Sequence, residues 1–127
     1  MNKVPINPSG APRPLGPYSP ALLADNLLFV SGQIPLDPAT GQMITGDIRE
    51  QTRQVMENIH GLLMEAKMDF SHVVKTSIFL ADMNDFALVN EVYASYFVAD
   101  FPARETVQVA RLPKDARIEI SVLAMKG

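Results

Sequence analysis

Two residues near the C-terminal end have side chains suited to chemistry: Arg104 in "FPARETVQVARLP" and Glu119 in "RIEI". An arginine fork takes a carboxylate through two parallel hydrogen bonds and stays charged at any working pH. A glutamate beside it can exchange protons with water. Together they could hold a small 2-substituted acid and help add water to it. The competing reading is a cross-strand ion pair, which is common and weakly stabilising when exposed. Spacing alone favours the ion pair. Both readings assume that the two closing strands pair through the "LPKDA" turn, with both side chains on one face of the sheet.

Other chemistries are poorly supported. The chain has no cysteine, which excludes disulfides, thiol nucleophiles and thiolate metal sites. It has no P-loop, no G-x-S-x-G elbow and no G-x-G-x-x-G turn. His60 and His72 are the only histidines and lack ligand spacing, so no metal site is expected. His60 reads as a residue flanking a helix stripe and His72 as a surface residue. Three places could line a ligand site, each with a structural alternative. Tyr18 in "GPYSPA" is equally a buried tyrosine bonded to backbone. Ser31-Gly32 ends a strand, where the glycine marks a turn or a close ligand approach. Asn90 lies near an apolar helix stripe and could simply tie down a loop.

The elements that must position these groups follow from periodicity. Six of the ten prolines fall between Pro5 and Pro20, which rules out helix or central strand and suggests an ordered loop draped over the domain. "ALLADNLLFVSGQIPL" reads as a hairpin turning at Asp25-Asn26, with both faces of its second strand covered. Asp47 and Glu50 resemble a capping box. They open a helix whose Ile48, Thr52, Val55, Met56, Ile59, Leu62, Leu63 and Ala66 form one stripe. "HVVKTSIFLAD" is the next strand. A second helix is predicted from about Asn84 to Ala99, with Phe86, Val89, Val92, Tyr93, Tyr96 and Phe97 as its stripe. Two strands close the chain, near Thr106–Leu112 and Ala116–Ala124. In the first, Val107 and Val109 should serve the core. In the second, Ile118, Ile120 and Val122 oppose Arg117, Glu119 and Ser121.

The order β-hairpin, α, β, α, β, β predicts an α/β (α+β) sandwich of two layers, two helices on one face of a single mixed sheet. The other face would carry Phe29, Arg104, Thr106 and Glu119 uncovered, and symmetric self-association would cover it. With 127 residues, one domain spanning 1–127 is expected. A net charge of -3 with scattered basic residues argues against nucleic-acid binding. Without a long apolar run or signal-like N-terminus, the expectation is a cytoplasmic protein with no membrane partner.

Several stretches resemble, in order and spacing, the RidA/YjgF family of imine/enamine deaminases: "GPYSPA", "LFVSGQIPLDPATG", "QTRQVMENI", "VVKTSIFLADMNDFALVNEVYASYF" and "FPARETVQVARLPKDARIEI". The last block is the most specific, with proline-x-arginine followed by "RLP" and "IEI". The resemblance implies a chorismate-mutase-like fold and a homotrimer with a ligand groove at each subunit boundary. It implies hydrolysis of 2-imino acids and their enamine tautomers to 2-oxo acids and ammonia, without a cofactor. The imines would come from pyridoxal-phosphate (PLP) dependent dehydratases, as metabolite damage to be cleared. By the same resemblance Arg104 would clamp the carboxylate and Glu119 would relay protons. The backbone of Gly32 and Thr106 would contact the imine end, and Tyr18, Ser31, Phe86 and Asn90 would line the groove. Two positions depart from the family pattern: Glu105 where serine is usual, and Thr106 where many relatives have cysteine. A non-catalytic carboxylate-binding or chaperone-like trimer is the alternative, and RNA cleavage, attached to some relatives, fits the acidic balance poorly.

Overall fold

A computed structural model describes residues 2–8, 14 and 16–127. Six strands form one sheet: β1 (Lys3–Ile6), β2 (Ala21–Ala24), β3 (Leu27–Gln33), β4 (Val73–Leu80), β5 (Ala103–Gln108) and β6 (Ile118–Met125). Their spatial order is β1-β2-β3-β6-β4-β5. All pairings are antiparallel except β4 with β5. Helices α1 (Ile48–Glu65) and α2 (Phe86–Ala94) pack against each other. This is the mixed α+β sheet with two helices expected from the sequence.

The predicted hairpin forms, with Asp25 at a positive φ of 54° in its turn. Its second strand departs from expectation, because Phe29 is 46% exposed and only one face of β3 is covered within the chain. The proline-rich start contains an unpredicted strand, β1, at the sheet edge, where Pro5 can sit without a ladder donor. Of the predicted draped loop, residues 9–13 and 15 lie outside the described residues.

Helix α1 starts at Asp47, whose side chain accepts the Glu50 N–H at 3.0 Å. All eight residues of its predicted stripe are buried. They face Leu28, Ile78, Leu80, Ile118 and Ile120, all fully buried. Each such side chain contributes about 1.5–3 kcal/mol when removed from water. Helix α2 is shorter than predicted. A 3-10 turn at Met83–Asp85, capped by Asp82, precedes it. Beyond Ala94 the chain leaves the helix, and Tyr96 and Phe97 pack on the core from there.

The closing strands hold the main correction. They do not pair with each other: β6 is inserted between β3 and β4, while β5 lies outside β4 at the edge. The link β4–α2–β5 is a crossover, which makes β5 parallel to β4. Strand β5 also starts earlier than predicted, at Ala103. Cross-strand partners share a face. Arg104 pairs with Thr76 and Thr106 with Ile78, and Thr76 and Ile78 are buried under the helices. Arg104 and Thr106 therefore lie on the helix side, not on the open face. Val107 pairs with Phe79, which pairs with Glu119, so these three share the open face. Val107 is 42% exposed there rather than in the core. Val109 packs on a small second cluster of Ile34, Leu112 and Ala116.

Candidate ligand site

Two candidate half-sites emerge, around two side chains that leave the sheet from opposite faces. The first surrounds Arg104. Phe86, Asn90 and Tyr93 fall at i, i+4 and i+7 on α2, a single stripe. That stripe lies over β5, and the Arg104 guanidinium carbon sits 5.0 Å from the Tyr93 ring centre and 5.6 Å from that of Phe86. Both distances are within cation–π range. Among the described residues no carboxylate pairs with Arg104. The expected ion pair with Glu119 is absent, because the two project from opposite faces with β4 between their strands. The Tyr93 hydroxyl bonds Thr76 Oγ1 at 2.9 Å. Burial pushes the Tyr93 phenol up, opposed by the Thr76 hydrogen bond and the Arg104 charge. The buried oxygens Asn90 Oδ1 and Thr106 Oγ1 have no hydrogen-bond partner within the chain. Asn90 thus does not tie down a loop through that oxygen.

The second half-site surrounds Glu119. A Cβ placed on Gly32 would lie 2.6 Å from Glu119 Cδ and Oε2, so the carboxylate rests directly on the Gly32 backbone. The pairing of β3 with β6 shifts register between Val30 and Gln33, which puts Gly32 at the irregularity. Burial raises the Glu119 carboxyl above the usual carboxylate range. A cavity of about 460 Å³ opens beside it, lined by Tyr18, Gly32, Ile34, Gly61, Pro113 and Glu119 among others. Tyr18 is 49% exposed, not buried as its structural alternative required. Ser31 donates its hydroxyl to the Ser19 carbonyl at 2.7 Å, so it fixes the chain before β2.

The sequence-predicted residues therefore divide between two groups: Arg104, Phe86, Asn90 and Thr106 in one, and Glu119, Gly32, Ser31 and Tyr18 in the other. As a member of the α2 stripe Tyr93 reads only as a core residue, yet its spacing from Phe86 and Asn90 is the signal that places it in the first group. Gly61 and Pro113 had no signal, since only folding brings them to the cavity. The histidines take local roles. His60 stacks on Phe70 with centroids 5.9 Å apart, and His72 accepts the Asp69 N–H at 3.1 Å. Glu105, unexplained by the sequence, turns to the open face, where it pairs with Lys75 at 3.0 Å and accepts from Ser77. Those contacts hold its carboxyl below the usual range, Ser77 first and Lys75 second.

A family model described as endoribonuclease L-PSP matches residues 8–126. The chain belongs to this family, also called RidA/YjgF. A RutC family protein of Pyrococcus horikoshii is 55% identical, covering 91% of this chain and 92% of the relative. Human 2-iminobutanoate/2-iminopropanoate deaminase is 48% identical over 96% of this chain and 89% of its own length. Among solved structures, Escherichia coli TdcF with bound serine is 38% identical, with a TM-score of 0.92 and coverage of 98% and 99%. The family match spans both candidate half-sites. Among the described residues no helix is long and apolar enough to cross a membrane.

Proposed function

We propose that this protein hydrolyses 2-imino acids, and their enamine tautomers, to 2-oxo acids and ammonia. The carrying observation is the disposition of Arg104: a guanidinium on two aromatic rings, with no carboxylate of its own among the described residues. Such a group is free to take a ligand's carboxylate. Several relatives at about this distance bear the name of 2-iminobutanoate/2-iminopropanoate deaminase, which supports the same reading.

The site is assembled from two copies. Arg104 and Glu119 cannot meet within one chain, so Arg104 of one subunit approaches Glu119 of the next. The open sheet face, with Phe29, Val107 and Glu119, turns toward the assembly, and the fold closes as a chorismate-mutase-like homotrimer of 1–127 domains. The substrate carboxylate lies on Arg104. Its imine carbon then sits by Gly32 and Glu119, bordered by Tyr18, Phe86, Asn90 and Thr106. Glu119, raised by burial, takes a proton from the attacking water. The water oxygen bonds the carbon of the protonated imine and gives a carbinolamine. Glu119 returns the water's proton to nitrogen and, as the C–N bond breaks, takes the hydroxyl proton, leaving the 2-oxo acid and ammonia. One C–O double bond replaces one C–N double bond, and water is the only co-reactant, so no cofactor enters the balance. An imine is already electrophilic, and orientation supplies most of the acceleration. The imine itself would be released by a PLP-dependent dehydratase.

The test is 2-oxobutanoate release when purified protein is added to a threonine dehydratase under conditions where imine hydrolysis is limiting. Acceleration that disappears in Arg104→Ala, with oligomer mass unchanged, is the expected result. Full activity in that variant would sink the clamp. The second reading is a carboxylate-binding trimer without turnover. The bound serine named for TdcF favours it, and calorimetric binding with no acceleration would select it.

A further inference from the structure

Among the described residues, three buried side-chain oxygens lack a partner in the chain, and two of them, Asn90 Oδ1 and Thr106 Oγ1, belong to the helix stripe and the strand that carry the Arg104 group. Asn90 lies between Phe86 and Tyr93 on the α2 stripe, the two rings that carry the guanidinium. Thr106 is two residues beyond Arg104 on the same side of β5, about 7 Å along the strand. An arginine side chain spans that distance. Unpartnered buried oxygens are uncommon in folded proteins and call for an explanation. The third, Gln51 Oε1, belongs to a residue in the first turn of α1 whose Nε2 bonds Gly46, away from this group.

The donors that could match them are those of Arg104. A guanidinium has five N–H groups and no acceptor. Stacking on Tyr93 and Phe86 compensates its charge, and among the described residues no side chain accepts those N–H groups. Binding a carboxylate side-on uses two of them on one edge, leaving three. We propose that Asn90 and Thr106 are positioning residues. When Arg104 engages a carboxylate, its remaining N–H groups are accepted by Asn90 Oδ1 and Thr106 Oγ1, which fix the plane of the fork. Both acceptors are neutral. A carboxylate in either place would neutralise the charge that the ligand needs, whereas an amide and a hydroxyl orient the guanidinium without competing for it. The stacked position on the rings is then the resting state, and ligand binding draws the group into its oriented one.

This inference rests on the reading that Arg104 binds a carboxylate. It is tested with 2-oxobutanoate as the probe, by calorimetric affinity and by thermal unfolding of the intact oligomer. Thr106→Val keeps the shape and removes the hydroxyl, and Asn90→Leu removes the amide. Each should weaken 2-oxobutanoate binding about tenfold or more, the effect of one lost hydrogen bond to a charged group. Each should also leave the unfolding midpoint unchanged or raise it, because an unpartnered buried oxygen has been removed. Thr106→Ser should restore affinity. In an Arg104→Lys background Thr106→Val should have no further effect on binding, since the fork it orients is gone. Affinity within twofold of the parent would overturn the proposal while leaving the carboxylate reading intact. A lowered midpoint or altered oligomer mass would also overturn it, since the oxygens would then be partnered by the packing. Absence of any 2-oxobutanoate binding by the parent protein would remove the carboxylate reading, and the proposal with it.

Discussion

Gly32→Ala isolates the placement of Glu119. The new Cβ would meet Glu119 Cδ and Oε2 at 2.6 Å and Cγ at 2.9 Å. Heavy atoms in ordinary contact stand about 3.5–4.0 Å apart, so the carboxylate must retreat by roughly 1 Å. The obstacle is the end of a flexible side chain, and a glutamate forced off its rotamer costs about 0.5–1.5 kcal/mol. Gly32 is not among the glycines with positive φ, so alanine can adopt its backbone. Lost freedom in the unfolded chain then returns about 0.4–1 kcal/mol. Stability should change by less than about 1 kcal/mol. Catalysis should not survive so well. A misplacement of about 1 Å can cost roughly a hundredfold, or about 2.7 kcal/mol of barrier. The measurements are a thermal melt and kcat/KM for imine hydrolysis in the dehydratase-coupled assay. A folded variant with parental kcat/KM would refute the assignment of Glu119. A variant that fails to fold would refute the premise that the side chain yields.

Four further expectations follow from the same geometry. Burial raises the Glu119 carboxyl, so it costs stability once pH exceeds its folded pKa and costs nothing below its unfolded one. Glu119→Gln should therefore melt higher than the parent at neutral pH while losing the activity and its acidic limb, as a melt series and a pH–rate profile would show. Gly61 lies inside α1, and a Cβ there meets nothing within 4 Å. Gly61→Ala should stabilise by roughly 1 kcal/mol, visible as a raised denaturation midpoint. Glu105→Gln should leave kcat/KM within about twofold, because Glu105 faces away from Arg104. The stability that Lys75 and Ser77 confer on the carboxylate is present above the ordinary carboxylate pKa and lost as pH falls through the depressed one, so parent and variant melts should converge in acid. Tyr93→Phe keeps the ring beneath Arg104 but strands the buried Thr76 hydroxyl. It should cost about 1–3 kcal/mol in chemical denaturation, with 2-oxobutanoate affinity retained.

What the sequence determined was whatever depends on neighbours along the chain. The α1 stripe recurs every three or four residues, and all eight of its members are buried because the helical period needs no tertiary information. The Asp25-Asn26 turn and the Asp47 cap are likewise set by a few adjacent residues. Alternation along β6 correctly separated Ile118, Ile120 and Val122 from Glu119. The same alternation failed on β5. Period two says which residues share a face and not which face is covered, and an edge strand beside a single helix offers the valines little cover on either side. Only the crossover through α2 decided that Arg104 and Thr106 would lie beneath that helix and Val107 on the open side. Adjacent position in the chain suggested that β5 and β6 pair, but β6 instead fills the gap between β3 and β4, where its apolar side gains covered neighbours on both flanks. The types of the site residues could thus be read in one dimension. Their division between two faces of the sheet could not, because it follows from strand order, which local sequence does not encode.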